Sequence, residues 1–319
     1  MIRFLLICAG REPNGSVIFH VTKLRSKRWR FINLYANEGM NSTTNALHSF
    51  VIQPHHPQTP PVVDVKAYPK LTVVTPSFNQ AHYLERTILS VLNQGYPNLE
   101  YFIMDGGSTD GSLEIIKKYE PYLAGWVSEK DRGQTDAVNK GFRLATGDYV
   151  AFQNSDDVFA PDAFNRVATA WRKAPATDVF FGDMYIIDEE DVILEEMRAP
   201  AFCVECQIYE GMQVFNQSLF IRRDRLKQFG LLDESLRFVI DYEIVARLGV
   251  QSGMQFRHVD GFWGGFRVQP DAKSSTIAAT VGLQEHKLVK EKYQPMLTSS
   301  LGFHSGNVIA ACVNYSPLS

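Results

Sequence analysis

Three polar stretches hold residue types that could do chemistry together. Asn154-Ser155-Asp156-Asp157 closes an apolar run, Tyr149-Val150-Ala151-Phe152. Adjacent carboxylates at the carboxyl end of a strand repel each other unless positive charge lies near, and a divalent cation carrying a phosphate would supply it. The same four residues also make an ordinary turn. Asp105 leaves a second apolar run, Tyr101-Phe102-Ile103-Met104, beside Gly106 and Gly107. It could accept a hydrogen bond from a base N–H or a ribose hydroxyl while the glycines admit a ligand close to the backbone. The competing reading is a capping turn, with Ser108 or Asp110 as N-cap. The third stretch, Thr75-Pro76-Ser77-Phe78-Asn79, follows the apolar run Leu71-Thr72-Val73-Val74.

The elements that must position these stretches are short strands alternating with helices. After Leu71–Val74, a helix carries Leu84, Ile88, Val91 and Leu92 on one face, and Pro97 ends the unit. After the second strand a helix with Leu113, Ile115 and Ile116 follows, and Glu129 to Gly141 opens another, whose start at Gly133 could lie near a diphosphate. The pattern predicts an α/β fold with a mostly parallel sheet covered by helices. In such sheets ligands bind outside the carboxyl ends of the strands, so the three stretches are expected to face one cleft. Further on, Phe215 to Arg223 reads as a strand leading into a helix.

Composition narrows the function classes. The chain has 319 residues, 45% hydrophobic and 21% charged, with a net charge of -3 and a pI near 6.3. That balance argues against a general nucleic-acid binder. Cys8, Cys203, Cys206 and Cys312 contain only one Cys-x-x-Cys pair, so reduced structural thiols are expected in place of a zinc site. No stretch approaches the roughly 20 apolar residues of a spanning helix. Phe4 to Ala9 is short for a signal-peptide core, and a cytoplasmic location is expected. Lys23, Arg25, Lys27, Arg28 and Arg30, with Trp29 and Phe31, form either a solvated basic segment or a peripheral contact with anionic lipid. Three regions are expected: 1–66, an extension ending in a Pro/His-rich linker from Gln53 to Pro61; 67–270, the catalytic candidate; and 271–319, a polar helix and tail.

Five blocks in order resemble the motifs of family 2 glycosyltransferases: Val73 to Asn79, Met104 to Gly111, Asp131 to Phe142, Ala145 to Tyr149, and Asn154 to Asp157. The resemblance covers roughly Leu71 to Gln269. It implies a GT-A-type nucleotide-sugar fold with inverting transfer to a glycan, lipid-linked or protein hydroxyl. Carried over by position, Thr75, Pro76 and Ser77 lie against the nucleotide and Asp105 reads the base, usually uracil. Gln134, Asp136 and Lys140 lie near the nucleotide-sugar. Asp156 becomes the ligand of Mn²⁺ or Mg²⁺, with Asn154 a weaker oxygen donor and Asp157 a supporting or sugar-contacting carboxylate. Asp241 is the implied general base, with Glu243 its rival and an N-cap role its structural alternative.

Two departures from the family pattern stand out. Gly106 occupies a position where relatives often carry a second Asp. Gln269 stands where relatives commonly have His, so metal coordination or loop closure may be built differently, while Arg267 could still pair with phosphate oxygens. Two other classes compete with a transferase. A nucleotidyltransferase would be expected to show a glycine-rich, basic loop after the first strand, and Thr75 to Asn79 has none. A non-catalytic nucleotide-sugar binder is suggested by Asn154 and Gln269 and opposed by Asp156, Asp157 and Asp241.

Overall fold

The structure, a computed structural model, describes residues 7–11, 17–21, 43–54 and 64–301. The basic cluster from Lys23 to Arg30, most of the Pro/His-rich linker, Cys312 and the tail past Leu301 lie outside the described residues. Strands β1 (Ile7–Arg11) and β2 (Val17–Val21) pair antiparallel, and helix α1 (Thr43–Ile52) follows.

The main sheet begins as the alternating pattern predicts. β3 (Leu71–Ser77), α2 (Ala81–Leu92), β4 (Leu99–Asp105), α3 (Ser112–Tyr119), β5 (Gly125–Ser128), α4 (Gln134–Leu144) and β6 (Tyr149–Phe152) lay down a parallel half-sheet in the order β5-β4-β3-β6. β3 is buried along its whole length, and its side chains alternate between two cores. Val73 joins Leu84 and Ile88 of α2 on one face, while Val74 joins Ala137, Val138 and Phe142 of α4 on the other.

The second half is mixed. It contains β7 (Val158–Phe159), α5 (Ala163–Lys173), β8 (Val179–Ile187), β9 (Ile193–Met197), α6 (Val204–Tyr209), β10 (Leu219–Arg222), α7 (Arg223–Phe229), α8 (Ile240–Gly249) and β11 (Phe256–Arg267). The sheet continues β6-β10-β8-β11-β7, with β9 on β8. β10 runs antiparallel to both β6 and β8, whereas β8 and β11 are parallel. The short α9 (Lys273–Thr276) leads to α10 (Leu283–Leu301), which lies against the domain: its Val289, Tyr293 and Leu297 enter the same core as Val74 and Val138. α1 packs Leu47 and Val51 on Val158, Ala160, Ile187 and Ile193. No helix among the described residues is long and apolar enough to cross a membrane.

The approach of α4 to β3 sets how the cleft is framed, and it depends on one glycine. A Cβ at Gly141 would lie 2.5 Å from Val74 Cγ1. Gly141→Ala is therefore expected to destabilise the fold by about 1–3 kcal/mol through overpacking, read as a lower urea midpoint with an unchanged slope.

Candidate active site

Hydrogen bonds between loops bring the first two polar stretches together. Gly106 N donates to Ser77 O at 2.8 Å, Asn79 N to Ser108 Oγ at 2.8 Å, and Thr109 N to Asn79 Oδ1 at 2.9 Å. Asn79 takes a left-handed φ of 52°, which asparagine tolerates better than most residues. Asp110 caps locally, accepting from Ala81 N and from Ser112 N and Oγ. Phe78 stands 59% exposed on this rim, a large aromatic surface that the residue-by-residue reading passed over. A Cβ at Gly106 would lie 2.7 Å from Asp131 Oδ2, so the missing side chain there leaves room for the Asp131 carboxylate from the next loop.

Several residues expected to face the donor are engaged elsewhere. Thr75 turns inward, shares a 2.9 Å hydrogen bond with the Tyr101 hydroxyl and is wholly buried in β3, so it is not open to a nucleotide. Asp105 is 2% exposed, and its oxygens accept from Gly107 N, Ser108 N, Ser108 Oγ and Ser128 Oγ. It shapes the loop and is not free to read a base. Asp136 accepts from Arg132 N and Nη2 and lies 3.8 Å from Lys140 Nζ, while Lys140 pairs with Glu129 at 2.8 Å. The Arg132 guanidinium holds the Asp136 carboxyl below its usual range. These two belong to the charge network of α4's own first turns. Pro76 sits within β3, and the neighbouring Ser77 Oγ is buried with no hydrogen-bond partner among the described residues, the one hydroxyl at this strand end still to be satisfied.

The third stretch divides its carboxylates. Asp157 is 1% exposed and accepts three hydrogen bonds: from Asn154 Nδ2 at 2.9 Å, Gln217 Nε2 at 2.8 Å and Arg267 N at 2.8 Å. It fixes the loop, with its acceptor capacity taken up inside the chain. Asp156 remains partly exposed and accepts from Gln269 Nε2 at 3.0 Å. Burial pushes both carboxyls above the usual range, and Asp157 is raised further by the charge of Asp156. Asn154 Oδ1 accepts from Gln134 Nε2 at 2.5 Å, and Gln134 Oε1 in turn accepts from Lys273 Nζ at 2.5 Å. The expected pairing of Arg267 with phosphate is corrected. Its guanidinium is wholly buried and bound to Asp156 O, Asp188 O, Glu189 O and Asp191 Oδ1, over the ring of Tyr83.

The chemistry of Asp156 suits a hard divalent ion. Its desolvated carboxylate has an amide N–H as its side-chain partner and, among the described residues, no cation in contact, so a metal would relieve the cost of ionising it. Among the described residues no three His, Cys, Asp or Glu side chains converge to hold an ion. An ion at Asp156 would draw its other ligands from a phosphate-bearing ligand and water.

Asp241 and Glu243 are separated in the same way. Glu243 is 1% exposed, salt-bridged to Arg247 at 2.9 Å and hydrogen-bonded by the Tyr293 hydroxyl, so it anchors α8 to α10. Asp241, in the first turn of α8, accepts from Tyr242 N at 2.9 Å, and burial pushes its carboxyl up to about 6. Thr135 Oγ1 donates to Leu236 O, and Lys273 Nζ donates to Arg237 O, which draws the approach to α8 alongside Gln134. Glu285 of α10 completes this seat, accepting from the backbone N–H groups of Arg237, Phe238 and Val239. Glu285 and Lys273 were missed in the sequence because both lie beyond the segment expected to be catalytic. A separate cleft of about 660 Å³, lined by Tyr68, Arg166, Arg172, Arg257 and His258 among others, opens at the start of β11, at the opposite end of the sheet.

Comparison with known proteins agrees with this architecture. The family model described as Glycosyl transferase family 2 matches residues 72–236, just over half of the chain. An uncharacterized glycosyltransferase of Mycobacterium tuberculosis is 32% identical over 183 residues, covering 56% of this chain and 68% of its own length. TuaG of Bacillus subtilis, a glycosyltransferase assigned to teichuronic acid biosynthesis, is 39% identical over 106 residues, 31% of this chain and 40% of TuaG. An uncharacterized glycosyltransferase of Nostoc sp., 34% identical over 130 residues (40% of this chain), is likewise matched over only 40% of its length. Among solved structures, residues 1–349 of S. aureus TarS in complex with UDP-GlcNAc superpose with a TM-score of 0.53 at 15% identity, covering 78% of this chain and 76% of that one. The mixed sheet flanked by helices is thus shared with a GT-A glycosyltransferase, and the extent of the family match decides the classification: the chain belongs to glycosyltransferase family 2.

Proposed function

We propose that this chain transfers a sugar, with inversion, from a nucleotide-diphosphate sugar to a hydroxyl of a glycan or lipid-linked acceptor. The observation that carries the reading is Asp241: a carboxylate raised to about 6 in a turn that Lys273 and Thr135 tie to the Asn154–Asp157 side of the cleft. Such a group is ionised near neutral pH yet basic enough to take a proton. Asp241 accepts the acceptor hydroxyl's proton as that oxygen attacks the anomeric carbon and the nucleoside diphosphate departs from the opposite face. Asp156 holds the divalent ion, Mn²⁺ or Mg²⁺, which when bound supplies positive charge against the diphosphate. Gln134 and Asn154 set the orientation of that loop, and the exposed Phe78 ring offers the nucleotide a stacking surface. A uridine donor is the class proposed, the class that TarS holds on a similar fold. A cell-envelope polysaccharide is the proposed acceptor class, in line with the pathway to which TuaG is assigned.

Turnover of a panel of nucleotide-sugars with Mn²⁺ or Mg²⁺ tests the reading, and undiminished turnover in EDTA would remove the metal from it. Asp241→Asn should keep nucleotide affinity and lower transfer by about 10²–10⁴-fold. In the wild type, kcat/KM should fall as pH drops through about 6, because protonation removes the base.

The same carboxyl carries a stability signature. Its folded value lies above the ordinary one, so ionisation disfavours the fold, and the penalty grows as pH rises from about 4 to about 6. Asp241→Asn should therefore be more stable than the wild type at pH 8, by about 1–2 kcal/mol after allowing for its partial exposure, and no more stable at pH 4. Urea denaturation at the two pH values reads this difference, and an equal effect at both would mean that Asp241 is not strained by burial.

A further inference from the structure

The cleft contains an ammonium group whose hydrogen bonds are made only to neutral oxygens. Lys273 Nζ donates to Gln134 Oε1 at 2.5 Å and to the Arg237 carbonyl at 2.9 Å, and no ion pair among the described residues includes it. Solvent still reaches the side chain, so it is not a sealed structural lysine. The turn that carries it is also the turn that touches Asp156. Gln269 donates to Asp156 Oδ2, and Gln269 O accepts from Ala272 N at 3.2 Å and Ser275 Oγ at 2.8 Å, so Lys273 and Asp156 are held to one short segment. The charges that bear on Lys273 are Arg237, which opposes its protonation, and Glu285, Asp156 and Asp131, which favour it. Desolvation of the amine by the atoms packed around it is the larger influence and pushes it below its usual range, although the residue as a whole is exposed.

We propose that Lys273 is a ligand of the donor's diphosphate, released from Gln134 and the Arg237 carbonyl when a nucleoside diphosphate enters. An ammonium exchanges two neutral acceptors for charged oxygens and forms shorter, stronger hydrogen bonds. Gln134 has a place in this exchange, because its amide joins Lys273 on one side to Asn154 on the other. Arrival of the diphosphate frees Gln134 Oε1, so occupancy of the donor site is felt at the loop that carries Asp156. The assignment rests on the nucleotide-sugar reading above.

Calorimetric titration of the full chain with UDP and with UMP, and in parallel with GDP and GMP, each in Mn²⁺ and in EDTA, tests it. Lys273→Gln is expected to weaken the diphosphate by roughly 10- to 100-fold while leaving the monophosphate within about two-fold, because only the diphosphate supplies the terminal phosphoryl oxygens. Lys273→Arg should retain diphosphate affinity within a few-fold, since the charge is kept. Equal weakening of mono- and diphosphate, or unchanged diphosphate affinity, overturns the assignment while leaving the nucleotide-sugar reading intact. A wild-type chain that binds neither diphosphate overturns that reading and this assignment with it.

Discussion

The site depends on one buried carboxylate. Asp157 receives N–H groups from its own loop, from Gln217 ahead of β10 and from Arg267 at the end of β11, strands that are not neighbours in the sheet. Burying a carboxylate is costly, and three donors offset that cost only while all three segments stay in place. Arg267 closes the arrangement from beneath, its guanidinium binding the Asp156 carbonyl and the 188–191 turn. Loss of any member would leave a polar group unpaired in the interior, so the loop has little freedom.

With Asp157 fully engaged, its neighbour Asp156 is the one left partly exposed, with a single amide N–H on its carboxylate. The same division recurs on α8, where Asp241 and Glu243 are two residues apart and so point away from each other. Glu243 binds Arg247, Lys292 and Tyr293 in the interior, and Asp241 stays with a backbone N–H of its own helix. In each pair one acid builds the frame and the other is left partly exposed with unfilled acceptor capacity. Asp105 belongs with the frame builders, its oxygens drawn into the turn they define.

The first half of the fold was legible because its signals are local. Strand runs, one apolar helix face and polar strand ends all follow from short-range periodicity, and Leu84, Ile88, Val91 and Leu92 are buried as their spacing requires. The antiparallel joint at β10 carries no such mark, because pairing partners are chosen across the sheet and four residues cannot encode a direction. Asp156 and Asp241 could be singled out as types at positions, but the fate of each carboxylate could not. Whether Asp105, Asp136 or Arg267 faces a ligand depends on partners many residues away, such as Ser128 for Asp105 and Asp191 for Arg267. Glu285 and Lys273 were hidden for the same reason: a helix that looks polar and terminal in sequence returns to hold the turn before Asp241.

Desolvation acts in one direction on four charged groups of the cleft. It raises Asp156, Asp157 and Asp241 and lowers Lys273, each away from its charged form. A nucleoside diphosphate entering alone would add negative charge beside carboxylates already disposed to hold protons, and would raise them further. Entry therefore calls for accompanying positive charge. On the readings proposed here, Lys273 would supply part of it from the chain and a divalent ion at Asp156 the rest. The amide at Gln269 is compatible with that order of events: an N–H donor holds the Asp156 oxygen until a stronger partner arrives, and unlike a protonated imidazole it adds no charge that would repel the ion. On that reading, a metal site built this way would be weak without its ligand and complete with it, which would couple ion binding to donor binding.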